Sequence, residues 1–332
     1  MKVGKLSPEK LQTLVLDKFQ KRHPQVLLGA GLGEDAAIVD FGEDLCVVAS
    51  DPITGAGVGM GRLAVHVACN DVAAAGATPI GIQVILLLPT DMPEEGIMEL
   101  MAEIADTGEG LGIDIIGGHT EITSKVLEPL IVITALGSVP RDGYITSSGA
   151  QPGDDLVLSK GAGWEGTAIL AHDFAHLLND LTPTELQRAQ GFLHQLSVIP
   201  EGRIGRRLKA SAMHDVTEGG VLGALWEMAQ ASGVGFDLYR DRVPMARETR
   251  LICDQLGLDP LALISSGAML FATSDGQALV EALGEQGIPG AIIGRVTAGE
   301  LLVWTGQKKE RLVGPPEDEL WRFLAATGKD GS

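Results

Sequence analysis

The sequence predicts an α/β protein with two domains. Its 332 residues are enough for two cores of ordinary size. In both halves, short apolar segments alternate with segments in which apolar residues recur at helical spacing. Residues 147–155 combine Ser, Gly, Pro and Asp, which is typical of a linker. We therefore expect one domain at residues 1–150 and a second at residues 151–332.

The first half is expected to begin with a helix, because Ser7 can cap it and Pro8 fits its first turn. Turn residues at 42–44 separate two apolar runs and indicate a strand–turn–strand unit. Pro93 opens a helix with one apolar face. The predicted elements are a helix at 7–19, strands at 36–40 and 45–49, a helix at 62–76, a strand at 80–88, a helix from 93, and strands at 113–116 and 130–136 around a turn at 117–121.

The second half continues the alternation of strands and helices. Thr217 is placed to cap a helix that carries Val221, Leu222 and Leu225 on its apolar side. The predicted elements are a strand at 156–159, helices at 164–178, 183–194 and 200–210, the helix after 217, a strand at 234–239, a helix at 248–256, a strand at 268–273, a helix at 277–286, and closing strands within 291–304.

Composition excludes several classes of partner. The formal net charge is −19, so duplex DNA and anionic membranes are repelled, and we expect neither as a partner. The apolar run at 80–88 ends at Pro89 and is too short to span a bilayer. The N-terminal residues lack the apolar core of a signal peptide, so a cytoplasmic protein is expected.

Cysteine and histidine spacing does not favour a zinc site. Cys46, Cys69 and Cys253 form no CxxC pair and lie in apolar surroundings, which indicates buried thiols rather than disulfides. His172 and His176 are four residues apart but lack a third ligand. We interpret them as part of an ordinary exposed helix face.

Four acidic motifs predict a dispersed metal–nucleotide site. Their carboxylates lie among small residues, where an unpaired charge is unfavourable and a cation is expected. Oxygen ligands favour Mg²⁺, which usually brings substrate phosphates. The four acids are Asp35, Asp51, Asp71 and Asp215.

Each acid also has a purely structural interpretation. Asp71, inside an Ala-rich helix, could pair with a helix end or an Arg; Asp51 could belong to an Asp-Pro turn. Asp35 could close a turn, and Asp215 could complement the positive end of the following helix. The coincidence of four such motifs favours the metal site.

The usual nucleotide-binding signatures are absent. The chain has no GxxxxGK[ST] motif, and the glycines at 29–33 fail the GxGxxG pattern because Glu34 replaces the last Gly. A second glycine pair, Gly117-Gly118, precedes His119 between two predicted strands. These glycines fit either a close approach of the backbone to a ligand or a tight hairpin turn. His119 fits a metal ligand, a proton shuttle or a surface side chain.

Together the motifs resemble the aminoimidazole ribonucleotide synthetase-like superfamily, and within it the HypE-like hydrogenase-maturation proteins. The residues that carry the resemblance are Asn70-Asp71 followed by Gly76-Ala77-Thr78-Pro79, the pair Gly117-Gly118, the run from His214 to Val221, Ser265-Ser266-Gly267-Ala268-Met269-Leu270, and Ile293-Gly294-Arg295-Val296. They occur in the family's order and cover nearly the whole chain.

The resemblance implies two α/β domains, with the N-terminal domains of two subunits pairing into a β-barrel. ATP and Mg²⁺ are the implied cofactors, in the groove between domains and subunits. The implied metal ligands are Asp35, Asp51, Asp71 and Asp215. The implied catalytic residues are Asp71, Asp215 and His119. The implied nucleotide contacts are Gly117, Gly118, Thr120, Asn70 and His214.

Three departures from the family pattern limit the expected reaction. The sequence ends at Ser332 and its last cysteine is Cys253, so transfer to a terminal thiol is not expected. The glycine-rich segment at 29–33 also lacks the Cys and the Lys that some family members carry in theirs. His119 stands where the family carries an acid, and Glu121 is the candidate for the missing charge.

The expected function is Mg²⁺- and ATP-dependent phosphorylation or activation of an oxygen on an unidentified small acceptor, in a homodimer. A thiamine-monophosphate-kinase-like phosphotransferase is the alternative enzyme. A nucleotide-binding maturation or scaffold protein without turnover is the alternative from another class.

Overall fold

Two mixed β-sheets, each flanked by helices, form the protein. The structure is a computed structural model that describes residues 8–14, 24–29, 31–53 and 58–327. The first sheet is built from residues 26–140 and the second from residues 155–311. The predicted mixture of helices and strands in both halves is confirmed, whereas a domain boundary at residue 150 stays a prediction.

The first sheet has the strand order β1-β2-β3-β6-β4-β5. Its neighbours are antiparallel except β4 and β5, which are parallel. The strands are β1 (Val26–Leu28), β2 (Ala37–Asp40), β3 (Asp44–Ile53), β4 (Thr78–Leu88), β5 (Asp114–Ile122) and β6 (Leu130–Pro140). The helices of this half are α1 (Pro8–Leu14), α2 (Met60–Ala74) and α3 (Glu94–Leu111).

The second sheet has the strand order β13-β12-β9-β11-β7-β10-β8, with β9 and β12 as its parallel pair. The strands are β7 (Asp155–Ser159), β8 (Ala212–Val216), β9 (Gly235–Tyr239), β10 (Ala268–Thr273), β11 (Gly290–Thr297), β12 (Leu301–Thr305) and β13 (Lys308–Arg311). The helices are α4 (Trp164–Asp173), α5 (Pro183–Gln190), α6 (Ile199–Arg207), α7 (Gly220–Ser232), α8 (Arg247–Leu256), α9 (Gly276–Glu285) and α10 (Glu319–Thr327).

Helix α2 joins the two halves. It packs on β3 and β6 of its own sheet and on α6 and β8 of the second half. Val72 on α2 shares one apolar core with Ile199 and Met213 from the second half. The helix is therefore buried on nearly all sides, which explains its Ala- and Val-rich sequence.

The face of the first sheet opposite α2 is only half-buried. Along β6 each buried residue alternates with a partly exposed one, as expected for a sheet with one covered face. The open face carries the cross-strand apolar pairs Val48–Leu136 and Ile85–Val132.

The predicted turn at 117–121 is wrong. Residues 114–122 form the continuous edge strand β5, which pairs with β4 rather than forming a hairpin with β6. A Cβ on Gly118 would lie 1.9 Å from the carbonyl oxygen of Val84, and the residue has φ +148°. The glycine is therefore explained by the close approach of the two strands.

The segment 147–155 alternates exposed residues, such as Ser148 and 151–153, with buried ones. Ser147 is buried, and its carbonyl oxygen accepts a hydrogen bond from Ser232 on α7. Sequence composition alone could not reveal the burial of Ser147, because Ser and Gly suit both linkers and tight buried turns.

Further differences concern the helices. Helix α4 ends at Asp173, so His172 and His176 do not share one helix face. Thr217 does not cap α7 with its side chain; instead Asp318 accepts a hydrogen bond from the Gly219 amide at that helix end. Helix α10 was not predicted, and the predicted first helix extends beyond Leu14 into residues outside the described ranges. Among the described helices, none is long and apolar enough to cross a membrane.

Candidate active site

Four aspartates from separate parts of the sequence meet between the two sheets. Asp51 lies near the end of β3 and Asp71 in the last turn of α2. Asp35 precedes β2, and Asp215 lies near the end of β8. Each element therefore delivers one carboxylate to the same place, and we call this group the carboxylate cluster.

Asp71 lies at the centre of the carboxylate cluster. Burial raises the pKa of Asp71 well above its ordinary value, and the carboxylates of Asp51 and Asp215 raise it further. Asp35 acts on it in the same direction. A proton or a cation is therefore needed to relieve the repulsion.

The second member, Asp51, has an unsatisfied atom. Its carboxyl contacts that of Asp71, but its buried Oδ2 atom has no hydrogen-bond partner among the described residues. Buried polar atoms are rarely left in this state, so the atom fits a ligand that the protein alone does not supply.

His214 supplies a positive charge beside the cluster. Its Nδ1 atom lies 3.3 Å from Asp35 Oδ1 and donates to the main-chain oxygen of Asp215 at 2.7 Å. Its Nε2 atom lies 3.2 Å from Glu227 Oε2. Burial lowers the pKa of His214, but Asp35 and Glu227 outweigh it and raise the pKa to about 10. His214 is therefore an internal imidazolium that holds Asp35 against β8.

The loop that carries Asp35 is fixed from two sides. The Ser147 hydroxyl lies 3.2 Å from Asp35 Oδ2. Gly33 has φ +77°, and a Cβ there would lie 2.7 Å from the carbonyl oxygen of Glu227. Only glycine allows this loop to run so close to α7, which sets the position of Asp35.

Asn70, which the family resemblance implies as a nucleotide contact, binds main chain of the second half; its role at a nucleotide stays a prediction. Its Nδ2 atom donates to the Leu196 carbonyl oxygen at 2.8 Å, and its Oδ1 atom accepts from the Val198 amide at 2.9 Å. The side chain is fully buried. This pair of bonds fixes the segment before α6 against α2, which is a positioning role.

The segment from Gly117 to Thr120 lies apart from the cluster within one subunit. Gly118 shares a row of the sheet with Asp51, but three strand spacings separate them, about 14 Å. His119 points to the opposite face, is exposed, and lies 3.6 Å from Glu121. The proposed roles of this segment at a nucleotide stay predictions.

Two site residues were not identified from the sequence. Glu227 is the one acid on the otherwise apolar helix α7, a signal that could have marked it. Ser147 lay in the presumed linker and gave no such signal. Ser147 contacts Asp35 and Glu227 contacts His214, so both side chains help to hold the carboxylate cluster in place.

A shallow surface depression lies on one side of the cluster. It is lined by Leu28, residues 34–36, the end of α2 and residues 145–147. Asp35 and Glu34 lie on its wall. Burial raises the pKa of Glu34 as well.

The geometry fits a hard divalent cation. Ligand atoms of Asp35, His214 and Asp215 all lie within 4.8 Å of one another, and Asp71 interacts with Asp35 and Asp215. Carboxylate oxygens suit Mg²⁺, whereas His214 is already paired with carboxylates and serves better as their counter-ion. The functions of these residues as ligands stay predictions.

The fold and site define a two-domain α/β protein whose carboxylates, drawn from both halves, meet between two mixed sheets. The chain belongs to the AIR synthase-related family. Residues 33–139 match the N-terminal domain of AIR synthase related protein, and residues 151–305 match its C-terminal domain. The family resemblance inferred from the sequence motifs is thereby confirmed.

Curated relatives and solved structures agree with this assignment. A putative hydrogenase expression/formation protein of Methanocaldococcus jannaschii is 30% identical over 86% of this chain and 88% of its own. The carbamoyl dehydratase HypE of Azotobacter vinelandii is 30% identical over 75% of this chain and 73% of its own.

Two solved structures have the same fold. HypE in a HypE–HypF complex superposes with a TM-score of 0.77 at 21% identity, covering 92% of this chain and 99% of that one. A ThiL complexed with AMPPCP and TMP gives a TM-score of 0.76 at 21% identity, covering 95% and 98%.

Proposed function

We propose that the protein is a Mg²⁺-dependent, ATP-binding enzyme that phosphorylates or activates an oxygen of a small acceptor. The observation that carries this proposal is the meeting of Asp35, Asp51, Asp71 and Asp215 in one buried cluster. Four like charges at such close range are unfavourable unless cations neutralise them. Mg²⁺ with nucleotide phosphates supplies that neutralisation.

The residues have distinct roles in this proposal. Asp51 and Asp71 hold the metal directly, because Oδ2 of Asp51 has no hydrogen-bond partner among the described residues and the carboxylate of Asp71 is repelled by its neighbours. Asp35 and Asp215 complete the ligand set from the loop and from β8. His214 and Ser147 orient Asp35. When bound, Mg²⁺ neutralises phosphate charge that develops during transfer.

The names of the relatives support this proposal. One solved neighbour is HypE in complex with ATP, with a TM-score of 0.68 at 23% identity. Another is the ThiL that binds AMPPCP and TMP. Curated relatives named carbamoyl dehydratase cover most of the chain. An acceptor oxygen of a phosphate or carboxamide is consistent with both groups.

The proposal includes a homodimer formed through the open face of the first sheet. That face carries Val48, Leu136, Ile85 and Val132, and Ile116 on the edge strand is 54% exposed. A row of apolar side chains on an open sheet favours a covering partner. A second copy of the same sheet is the partner that the family resemblance implies.

Turnover is the experiment that separates an enzyme from a scaffold. Purified protein is incubated with ATP and Mg²⁺, and ADP and phosphate release are measured with and without a phosphate monoester or a primary carboxamide. We expect acceptor-stimulated release, and none from Asp71→Asn. Mg²⁺-dependent ATP binding without release, across all acceptors, would favour a non-catalytic nucleotide-binding protein.

A further inference from the structure

Residues 314–327 lie beyond the part of the chain that matches the family, which ends at residue 305. We call them the C-terminal segment, and they include helix α10. The segment lies against the turn at residues 217–219, which joins β8 to α7. This turn therefore has a neighbour that the family match does not include.

The turn at 217–219 connects two parts of the candidate site. Asp215 lies on β8 just before the turn, and Glu227 lies on α7 after it. Glu227 contacts His214, which also lies 3.3 Å from Asp35. The path of the turn sets how α7 lies relative to β8, and with it the relative positions of Asp215 and Glu227.

Asp318 of the C-terminal segment binds this turn directly. Its Oδ2 atom accepts a hydrogen bond from the Gly219 amide at 2.6 Å, and its Oδ1 atom accepts one from the Leu320 amide at 2.8 Å. The residue is only 3% exposed. One carboxylate therefore links the N-terminal ends of α7 and α10.

The contact replaces an ordinary helix cap. In a capping box, the acceptor for the N-cap amide is a side chain of the helix itself. The N-cap residue of α7 is Gly219, and its acceptor comes from a segment about 100 residues further along the chain. Gly219 has φ +81°, and a Cβ there would lie 3.4 Å from Cγ of Pro316, so the turn and the segment are closely packed.

The C-terminal segment is itself anchored in the second half. Leu320 and Phe323 of α10 are buried in one apolar cluster with Ile169 and Leu263. The Phe323 ring packs edge-on against Phe174, with 5.0 Å between the ring centroids. Asp318 is therefore held against the turn before any ligand binds, as a supporting residue of a preformed site must be.

The surroundings of Asp318 do not by themselves favour an acid. Burial raises its pKa to about 7, the two amide hydrogen bonds oppose this, and Glu218 and Glu165 raise it further. Glu165 also interacts with Asp215. Asp318 thus belongs to a series of interacting acids that reaches the carboxylate cluster at Asp215.

We propose that Asp318 is a positioning residue of the metal site. It fixes the turn that places Asp215 in the carboxylate cluster and Glu227 against His214. The inference rests on the proposed function for the identity of the ligand, whereas the contact with the turn stands on the geometry. Asp318 acts through the turn and does not itself bind the metal or the nucleotide.

Binding of Mn²⁺ without nucleotide tests this role. Mn²⁺ takes the oxygen ligands that suit Mg²⁺, and electron paramagnetic resonance measures its free fraction. Asp318→Ala removes both acceptor atoms, and Asp318→Asn keeps one. The matched control is Phe323→Leu, which loosens α10 in its apolar cluster without changing the contact with the turn. Melting temperatures in EDTA measure how far each variant is destabilised.

We expect the Mn²⁺ dissociation constant to rise at least about tenfold in Asp318→Ala, as it does when other residues that orient metal ligands are removed. Asp318→Asn should lie between Asp318→Ala and the wild type. Phe323→Leu should bind Mn²⁺ as the wild type does, although its melting temperature falls. Unchanged Mn²⁺ affinity in Asp318→Ala, or an equal loss in Phe323→Leu, would overturn the proposal. If Asp318→Ala does not fold, Asp318→Asn decides by the same criterion.

A parallel titration with Mg²⁺ and AMPPNP separates this inference from the proposed function. Nucleotide affinity should fall in the same order as Mn²⁺ affinity. A wild type that binds Mn²⁺ but no nucleotide would contradict the proposed function, while the Mn²⁺ titration would still decide the role of Asp318. A wild type that binds neither would contradict both.

Discussion

The carboxyl groups of Asp51 and Asp71 contact each other, although one is on strand β3 and the other on helix α2. Two acids in contact cannot both be ionised in a buried site without a compensating charge. The core packing therefore holds these two carboxyl groups together against their electrostatic repulsion, and a cation fits this arrangement.

Replacing Asp71 by Asn should abolish Mg²⁺-dependent nucleotide binding and leave the fold intact. Asn retains the shape of the side chain but removes a charge that its neighbours repel. Without metal, the melting temperature should stay the same or rise. Calorimetric titration with ATP and Mg²⁺, together with a melting curve, measures both effects. The control is Asp142→Asn, an exposed acid outside the cluster. Unchanged nucleotide affinity in Asp71→Asn would remove this residue from the site.

The stability of the protein should depend on pH through Glu165. Burial raises the pKa of Glu165 from 4.5 to about 7, against the partly opposing hydrogen bond from the Ser266 amide. Because the folded protein holds the Glu165 proton more tightly than the unfolded chain, this group contributes its full stabilisation below about pH 4.5. That contribution is lost as the pH rises through about 7.

Glu165→Gln removes this dependence and keeps an acceptor for Ser266. At pH 8 the variant should exceed the wild type in free energy of unfolding by up to roughly 3 kcal/mol, whereas at pH 4.5 the two should be similar. Denaturant unfolding in EDTA at several pH values measures the difference, with the exposed Glu95→Gln as control. Parallel pH profiles for Glu165→Gln and wild type would show that this carboxyl is not protonated in the fold.

Ile85→Lys should convert the proposed dimer to monomer at micromolar concentration. Ile85 is 37% exposed on the open face of the first sheet, and a Lys there would be desolvated in the interface. Sedimentation velocity should give a dimer dissociation constant at least about tenfold higher for Ile85→Lys than for the wild type. Met98→Lys on α3, at a residue that is 71% exposed, is the control. A wild type that is monomeric under these conditions would contradict the shared-sheet dimer.

No cysteine should be needed for nucleotide binding or turnover. Burial raises the pKa of both Cys69 and Cys253 to about 12, so neither forms a thiolate near neutral pH. Cys46 is only half-buried, contrary to the expectation of three buried thiols. The triple Cys→Ala variant should keep its activity and lose about 1 kcal/mol of stability for each buried position. Loss of activity on replacing Cys69 alone, at an unchanged melting temperature, would restore covalent catalysis.

The sequence indicated the four aspartates because each stands among small or apolar residues, where an acid is unusual. It could not indicate that Asp51 touches Asp71, since that contact depends on how α2 crosses β3. The same limit applied to Asn70. The family resemblance implies it as a nucleotide contact, and the sequence could not show that its amide binds the main chain of Leu196 and Val198.

Strand β5 shows why the rest of the fold was harder to predict. Two consecutive glycines usually signal a turn, but here Gly118 lets an edge strand lie close against Val84. Tertiary packing thus overrode the local preference.

Anomalous diffraction from a crystal grown with Mn²⁺ and an ATP analogue tests the central claim most directly. Mn²⁺ takes the oxygen ligands that suit Mg²⁺ and can be located by its own signal. We predict a peak bounded by the carboxylates of Asp51 and Asp71, with Asp35 or Asp215 in the same coordination group and a phosphate oxygen completing it. A bound analogue with no metal at these aspartates, or with metal held elsewhere, would contradict the account.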